Sequence, residues 1–255
     1  MLFAITRELN VDIGNCELTF LPRVSIDTDL ATQQHQQYQA VLSSLGCELV
    51  TIPAEPKSAD SVFIEDSAIV LDEIAVLCRP GVESRRPEIE GVAGILKKYR
   101  TIEAIQSPGT LDGGDLLRVG KVILAGLSTR SNQHGIEQLR GIVANFGYSV
   151  QAIEVSKCLH LKSAVCEVAP GTLLINPDWI SRDAIAGWEL IDVDRDEAHG
   201  ANALLVEQNV IYPSSFPRTM EKLLERGIDV IPVDLSELQK AEGAVTCCSL
   251  IVTTP

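Results

Sequence analysis

What this chain has little of is the first guide to its function. Positive charge is scarce, with 21 Lys and Arg against 35 Asp and Glu and a net charge of −14 with histidine neutral. A phosphate backbone is bound by clustered cations, so a nucleic-acid partner is excluded, while a cationic small molecule is compatible. No apolar run approaches the roughly 20 residues that a membrane-spanning helix needs. The start, Met1-Leu2-Phe3-Ala4-Ile5-Thr6-Arg7-Glu8, lacks the basic head and long apolar stretch of a secretory leader. A cytoplasmic protein without a membrane partner is expected. Aromatic residues are only 4% of the chain, and glycine and proline are scattered, so no low-complexity stretch or linker divides it. One domain over 1–255 is expected, and 45% hydrophobic residues supply its core.

Paired cysteine spacing is missing as well. Seven cysteines stand at 16, 47, 78, 158, 166, 247 and 248, an odd number with no Cys-x-x-Cys. That excludes a disulfide framework and leaves most of them as reduced, buried, small apolar residues. No Gly-x-Gly-x-x-Gly follows a strand, which removes the main sign of a doubly wound dinucleotide-binding sheet. No helical face carries a dimer-interface signal.

What is present is a repeat. Pairs of strand-like apolar runs occupy 61–80, 111–128, 159–177 and 201–215, and a last one begins at Val245 and closes with the amino-terminal strand Leu2–Arg7. Helical stretches over 29–46, 87–98, 131–146, 180–188 and 217–227 are each followed by a further strand-like segment. A unit of roughly 45 residues that cannot bury its own apolar face predicts stacking of neighbour on neighbour. The predicted fold is therefore α/β, a five-bladed α/β propeller of pseudo-fivefold ββαβ repeats around a central pocket.

Each pair opens on unusual polar residues: Glu65-Asp66, Asp112, His160, Asn202 and Cys247. Rotation about one axis would bring these equivalent positions together. Cys247 reads either as a core thiol or as a nucleophile, which needs a cationic neighbour or ligand to become thiolate. In the strand expected from Val245, only one of Cys247 and Cys248 faces the axis. His160, between Leu159 and Leu161, is either a satisfied core group or a general acid and base. Asp112 opens a Gly-Gly turn or orients that imidazole. Glu65 and Asp66 interrupt an apolar run, where a carboxylate is costly unless paired, and a guanidinium matches it in bidentate geometry. Arg85 and Arg130 are solvated surface charges or a clamp for an α-carboxylate at the pocket rim. The other histidines, at 35, 134 and 199, read as surface residues.

Taken in order, Glu65-Asp66, Arg85, Leu111-Asp112-Gly113-Gly114-Asp115, Leu159-His160-Leu161-Lys162-Ser163 and Thr246-Cys247-Cys248-Ser249 resemble the dimethylarginine dimethylaminohydrolase family, essentially end to end. That resemblance implies the pentein propeller, and hydrolysis of Nω-methylated arginine to citrulline and a methylamine through a covalent Cys-thiouronium intermediate, with no cofactor. It implies Cys247 as nucleophile with Cys248 a bystander, His160 as acid and base, Asp112 as its support, and Glu65 and Asp66 on the guanidinium. For the amino-acid end it implies Asp60 on the ammonium, Arg85 and Arg130 on the carboxylate, Leu18 in a lid, and Ala241, where the family more often has Val or Ile, through its carbonyl. A thiol beside an imidazole is also a pair that Zn²⁺ takes, with inhibition as the expected result. The alternatives are an arginine deiminase or citrulline-type hydrolase, and a non-catalytic propeller that acts as a binding module.

Overall fold

The computed structural model describes residues 1–254. Its strands form five three-stranded sheets. The second unit shows the plan. Strands β3 (Ala68–Val70) and β4 (Ile74–Leu77) form an antiparallel hairpin, helix α2 (Glu88–Leu96) crosses over, and β5 (Thr101–Ala104) returns parallel to β4. The third unit repeats it with β6 (Leu116–Val119), β7 (Val122–Leu127), α3 (Gln133–Ala144) and β8 (Ser149–Glu154). The fifth does so with β12 (Leu204–Val206), β13 (Asn209–Pro213), α4 (Pro217–Glu225) and β14 (Asp229–Val233). In the first unit the carboxy-terminal strand β15 (Leu250–Thr253) pairs with β1 (Leu2–Arg7), and α1 (Thr28–Ser44) leads to β2 (Cys47–Ile52).

Local chemistry explains where the helices begin. Asp27 caps α1 by accepting from the Leu30 amide at 3.0 Å, and Asn132 caps α3 through the Gly135 amide at 2.9 Å. Pro217 opens α4, where its missing N–H costs nothing. The fourth unit departs from expectation. Its strands β9 (Val165–Ala169), β10 (Thr172–Ile175) and β11 (Glu189–Asp192) form as predicted, but 180–188 is not an α-helix. Only a 3₁₀ turn, Arg182–Ile185, forms there, because Pro177 precedes it and Gly187 takes a φ of 106° that ends it.

The packing closes the ring. Buried apolar side chains gather into five clusters, and each cluster joins at least two neighbouring units. Phe3 and Val252 of the first unit pack with Val92 and Leu96 of the second, and Ile69 and Val76 of the second with Ile136 and Leu139 of the third. Leu117 and Val119 meet Val165 and Leu173, and Leu174 meets Val210 and Leu223. The fifth cluster joins Ile211 and Val233 back to Ala4, Tyr38 and Leu42. A row of five units has four such seams and a ring has five. Hairpins alone leave a half-exposed face, so this mutual burial is what holds each unit.

Among the described residues, no helix is long and apolar enough to cross a membrane. All seven cysteines are free, and only Cys247 is more than marginally exposed. His35 corrects the surface reading: it is 3% exposed on the inner face of α1, its Nε2 has no partner, and burial pushes its imidazole down to about 4. His134 and His199 are exposed as expected.

Candidate active site

The polar residues of the repeat stand in or beside tight turns rather than in the strands themselves. Glu65 and Asp66 lie in the 3₁₀ turn Ile64–Ser67 before β3. Asp112 precedes the turn Gly113–Asp115 and His160 the turn Leu161–Ser163. Cys247 lies in a turn as well, which corrects its expected place on a strand, since β15 begins only at Leu250. A turn lets the chain double back at the axis, so consecutive residues point in unrelated directions instead of alternating. Cys247 faces a cavity of about 230 Å³, whereas Cys248 is fully buried with its thiol towards Ala244 O.

The Cys247 turn is tied down from three sides. Tyr38, wholly buried in α1, donates to Val245 O at 2.9 Å and shares a 2.7 Å hydrogen bond with Ser249 Oγ. Asn202 accepts from the Thr246 amide at 3.1 Å and donates to Thr246 Oγ1 at 3.0 Å. The Glu65 amide donates to Cys247 O at 3.1 Å.

His160, Glu65 and Gly114 line the same cavity as Cys247. The His160 imidazole donates from Nε2 to Asp112 Oδ2 at 3.1 Å, and Asp66 Oδ1 stands 3.9 Å from the same nitrogen. Gly113 and Gly114 permit this approach: a Cβ on the first would sit 1.9 Å from Glu65 O, and on the second 2.6 Å from His160 Nδ1. Burial alone would push the imidazole down. Asp66, the hydrogen bond to Asp112 and the charge of Asp115 outweigh that and hold His160 up at about 9. Its protonation therefore favours the fold in full below the ordinary value of 6.5, and that contribution is lost as pH rises through about 9. For Asp66, burial pushes upward, but His160 and Arg85 hold the carboxyl well below its ordinary value.

Glu65 has two partners that its sequence neighbourhood does not reveal. Lys162 Nζ forms a buried ion pair with its Oε1, and Thr246 Oγ1 donates to Oε2 at 2.8 Å. Lys162 was legible in the motif only as a lysine set between Leu161 and Ser163, a spacing that does not say which carboxylate it meets. For Cys247, burial, then Glu65 and Asp66, push the thiol well above its ordinary value. The free protein thus holds a neutral thiol, and a cation placed against Glu65 and Asp66 would offset the two charges that raise it. Neutral iodoacetamide is expected to label Cys247 slowly at pH 7, with a cationic amidinium alkylator faster by about tenfold or more. Peptide mass spectrometry reads the two rates, and equal rates at pH 7 would remove the cation from the argument.

The amino-acid end is only partly as expected. Arg85 is 3% exposed and turned inward: Nη1 meets Asp66 Oδ2 at 2.5 Å, Nε and Nη2 meet Glu88 at 2.9 Å, and Nη2 also donates to Phe63 O at 3.0 Å. The predicted rim pair is therefore not formed, because buried carboxylates on its own unit claim the Arg85 donors. Arg130 donates from Nη2 to Thr19 Oγ1 at 3.2 Å, with Nη1 4.0 Å from Asp112. Asp60 accepts from the Glu17 amide at 3.0 and 3.2 Å, and burial pushes its carboxyl up to about 6. Leu18 is half-buried against the seam between the fifth and first units, and Ala241 is buried in that seam, while its neighbours Glu242, Gly243 and Ala244 line the cavity. The amides of Thr19, Phe20 and Leu21 converge on the Glu242 carboxylate, strapping this loop across the cavity mouth.

Asp66, Asp112 and His160 offer ligand atoms within 4.8 Å of one another. The His160 nitrogen among them is turned onto Asp112 and is held protonated, so the trio fits a shared charge and not a metal.

Residues 22–253 match a protein-family profile described as N,N dimethylarginine dimethylhydrolase, eukaryotic. The chain is 33% identical to an N(G),N(G)-dimethylarginine dimethylaminohydrolase of Pseudomonas aeruginosa over 86% of its length and 87% of the relative's. It is 34% identical to the protein of the same name in Streptomyces coelicolor, covering 97% and 95% of the two chains. The solved structure of the Pseudomonas enzyme, as a Cys-to-Ser mutant with citrulline, superposes with a TM-score of 0.94 at 31% identity over 98% of both chains.

Proposed function

The chain belongs to the dimethylarginine dimethylaminohydrolase family, and from that premise we propose that it hydrolyses Nω-methylated arginine to citrulline and a methylamine. The observation that carries this reading is the company of the Cys247 thiol: one cavity joins it to His160 and to the buried Glu65 carboxylate, with the Asp66 carboxylate 3.9 Å behind the imidazole.

The substrate guanidinium sits against Glu65 and Asp66, and its charge lets the thiol lose a proton to solvent. Sγ adds to the guanidinium carbon. His160 gives its proton to the departing dimethylamine, which leaves a thiouronium on Cys247. The now neutral imidazole takes a proton from water as its oxygen adds to the same carbon. The C–S bond then breaks, citrulline is released and the thiol is restored. Asp112 holds the ring throughout. Every step is an addition, an elimination or a proton transfer, so side chains suffice and no cofactor is called for.

At the other end of the substrate, Asp60 receives the ammonium, and Arg130 the carboxylate, with Arg85 joining it only by releasing Asp66. Leu18 and Ala241 offer backbone carbonyls from the strap and the seam. Free thiols throughout agree with a reducing, cytoplasmic setting.

Incubation with asymmetric dimethylarginine, arginine and citrulline tests the substrate. Dimethylamine from the first is expected, with little ammonia from the other two. Ammonia from arginine without dimethylamine would make the protein a deiminase, and no turnover at all would favour a binding module.

A further inference from the structure

Among the described residues, Asp115 is a carboxylate with no cation in ion-pair contact. It is fully buried, and among the described residues it is bonded by neutral donors alone: Ser128 Oγ and Ser131 Oγ at 2.6 Å on Oδ2, and the Leu161 amide at 2.9 Å on Oδ1. Burying a carboxylate this way is costly, so its place calls for a reason beyond packing. The donors supply one. Leu161 directly follows His160, and Ser131 Oγ, while donating to Asp115, accepts the amide of Asp112 at 3.0 Å. One carboxylate thus joins the main chain of Asp112 in the third unit to that of His160 in the fourth, and the two side chains meet at 3.1 Å.

We propose that Asp115 is a positioning residue for the hydrolysis, bridging the backbones of Asp112 and His160 so that acid and imidazole keep their hydrogen bond through both proton transfers. This rests on the reading of His160 as acid and base given above. The charge acts alongside the geometry: burial pushes the Asp115 carboxyl up to about 6, so it is ionised at neutral pH and helps keep His160 protonated.

The test compares wild type, Asp115→Asn and Ser131→Ala. Asparagine keeps the shape and removes the charge. Its kcat is expected to fall on the order of tenfold with KM within about threefold, because the loss is one of alignment and not of substrate contact. ¹³C-imidazole NMR, with the His160 signal assigned by its loss in His160→Gln, should show the titration midpoint about one unit lower. Ser131→Ala cuts the link to Asp112 alone and is expected to lower kcat several-fold, roughly, at unchanged KM. A lower melting temperature in Asp115→Asn with kcat and the His160 midpoint both unmoved would make Asp115 merely structural and overturn the proposal. If Asp115→Asn does not fold, unchanged kcat in Ser131→Ala overturns it. If wild type turns over no guanidino compound, the functional reading fails separately, and the His160 midpoint in Asp115→Asn still decides whether the two residues are linked.

Discussion

Cys247→Ser is expected to abolish amine release from asymmetric dimethylarginine, by on the order of 10⁴-fold or more. The change replaces one small atom at a half-buried position, so the turn held by Tyr38, Asn202 and Glu65 persists and the cavity keeps its shape. Substrate affinity should stay within about threefold, since in the proposed mechanism carboxylates and not sulfur hold the guanidinium. What disappears is the nucleophile: the bound cation lowers the pKa of a thiol into reach, whereas an alcohol stays protonated beside the same cation. Cys248→Ala is the companion. Its side chain is fully buried away from the cavity, so it should cost about 1–2 kcal/mol of stability and leave turnover within a few-fold. Steady-state amine release and thermal melts read the two effects apart. Full turnover by Cys247→Ser, or collapse of turnover in Cys248→Ala alone, would move the nucleophile to another residue.

Lys162→Met carries the largest expected effect on stability. Lys162 is the only cation on Glu65 among the described ion pairs, and the Glu65 side chain is 8% exposed. Removing one partner of a buried pair leaves an uncompensated charge, at a cost of about 3–5 kcal/mol, which in a domain of this size lowers Tm by roughly 10 °C. The pH dependence identifies the cause. Burial already raises Glu65, with Lys162 the main restraint, so its loss raises the carboxyl further. A carboxyl raised in the folded state favours the fold at low pH and loses that advantage as pH rises through its folded value. The deficit of Lys162→Met should therefore shrink towards pH 5 and be full at pH 8. Adding Glu65→Gln should recover most of the stability and none of the activity, because the guanidinium still lacks its carboxylate. A deficit independent of pH, or no recovery in the double variant, would mean that Lys162 acts through packing alone.

The repeat was readable from the chain because a hairpin with one buried face writes its alternation into local sequence. Four of the five expected helical stretches appear within a few residues of their predicted ends. The exception, 180–188, has apolar residues at helical spacing, but Pro177 and Gly187 outweigh them. His35 reads as a surface residue because its neighbours on α1 are polar glutamines, but the face it shares with Ala31, Tyr38 and Leu42 is buried by the fifth unit. Residue type and position in the repeat singled out Cys247, His160, Asp112, Glu65 and Asp66. The chain read blind left each of them a bland alternative, and the resemblance to a family supplied the roles.

The sequence by itself determined that five like units follow one another and that each opens on a chemically unusual residue. Those are properties of neighbours in the chain, where side-chain spacing decides which face is apolar. Only the tertiary structure decided how those residues are charged and which partner each one keeps. Glu65 meets Lys162 across 97 positions and Thr246 across 181, Arg85 spends its donors on Asp66 and Glu88, and Asp115 spans two units to reach the residue after His160. Protonation depends on burial and on the distance to the nearest charges, and both are set by ring closure.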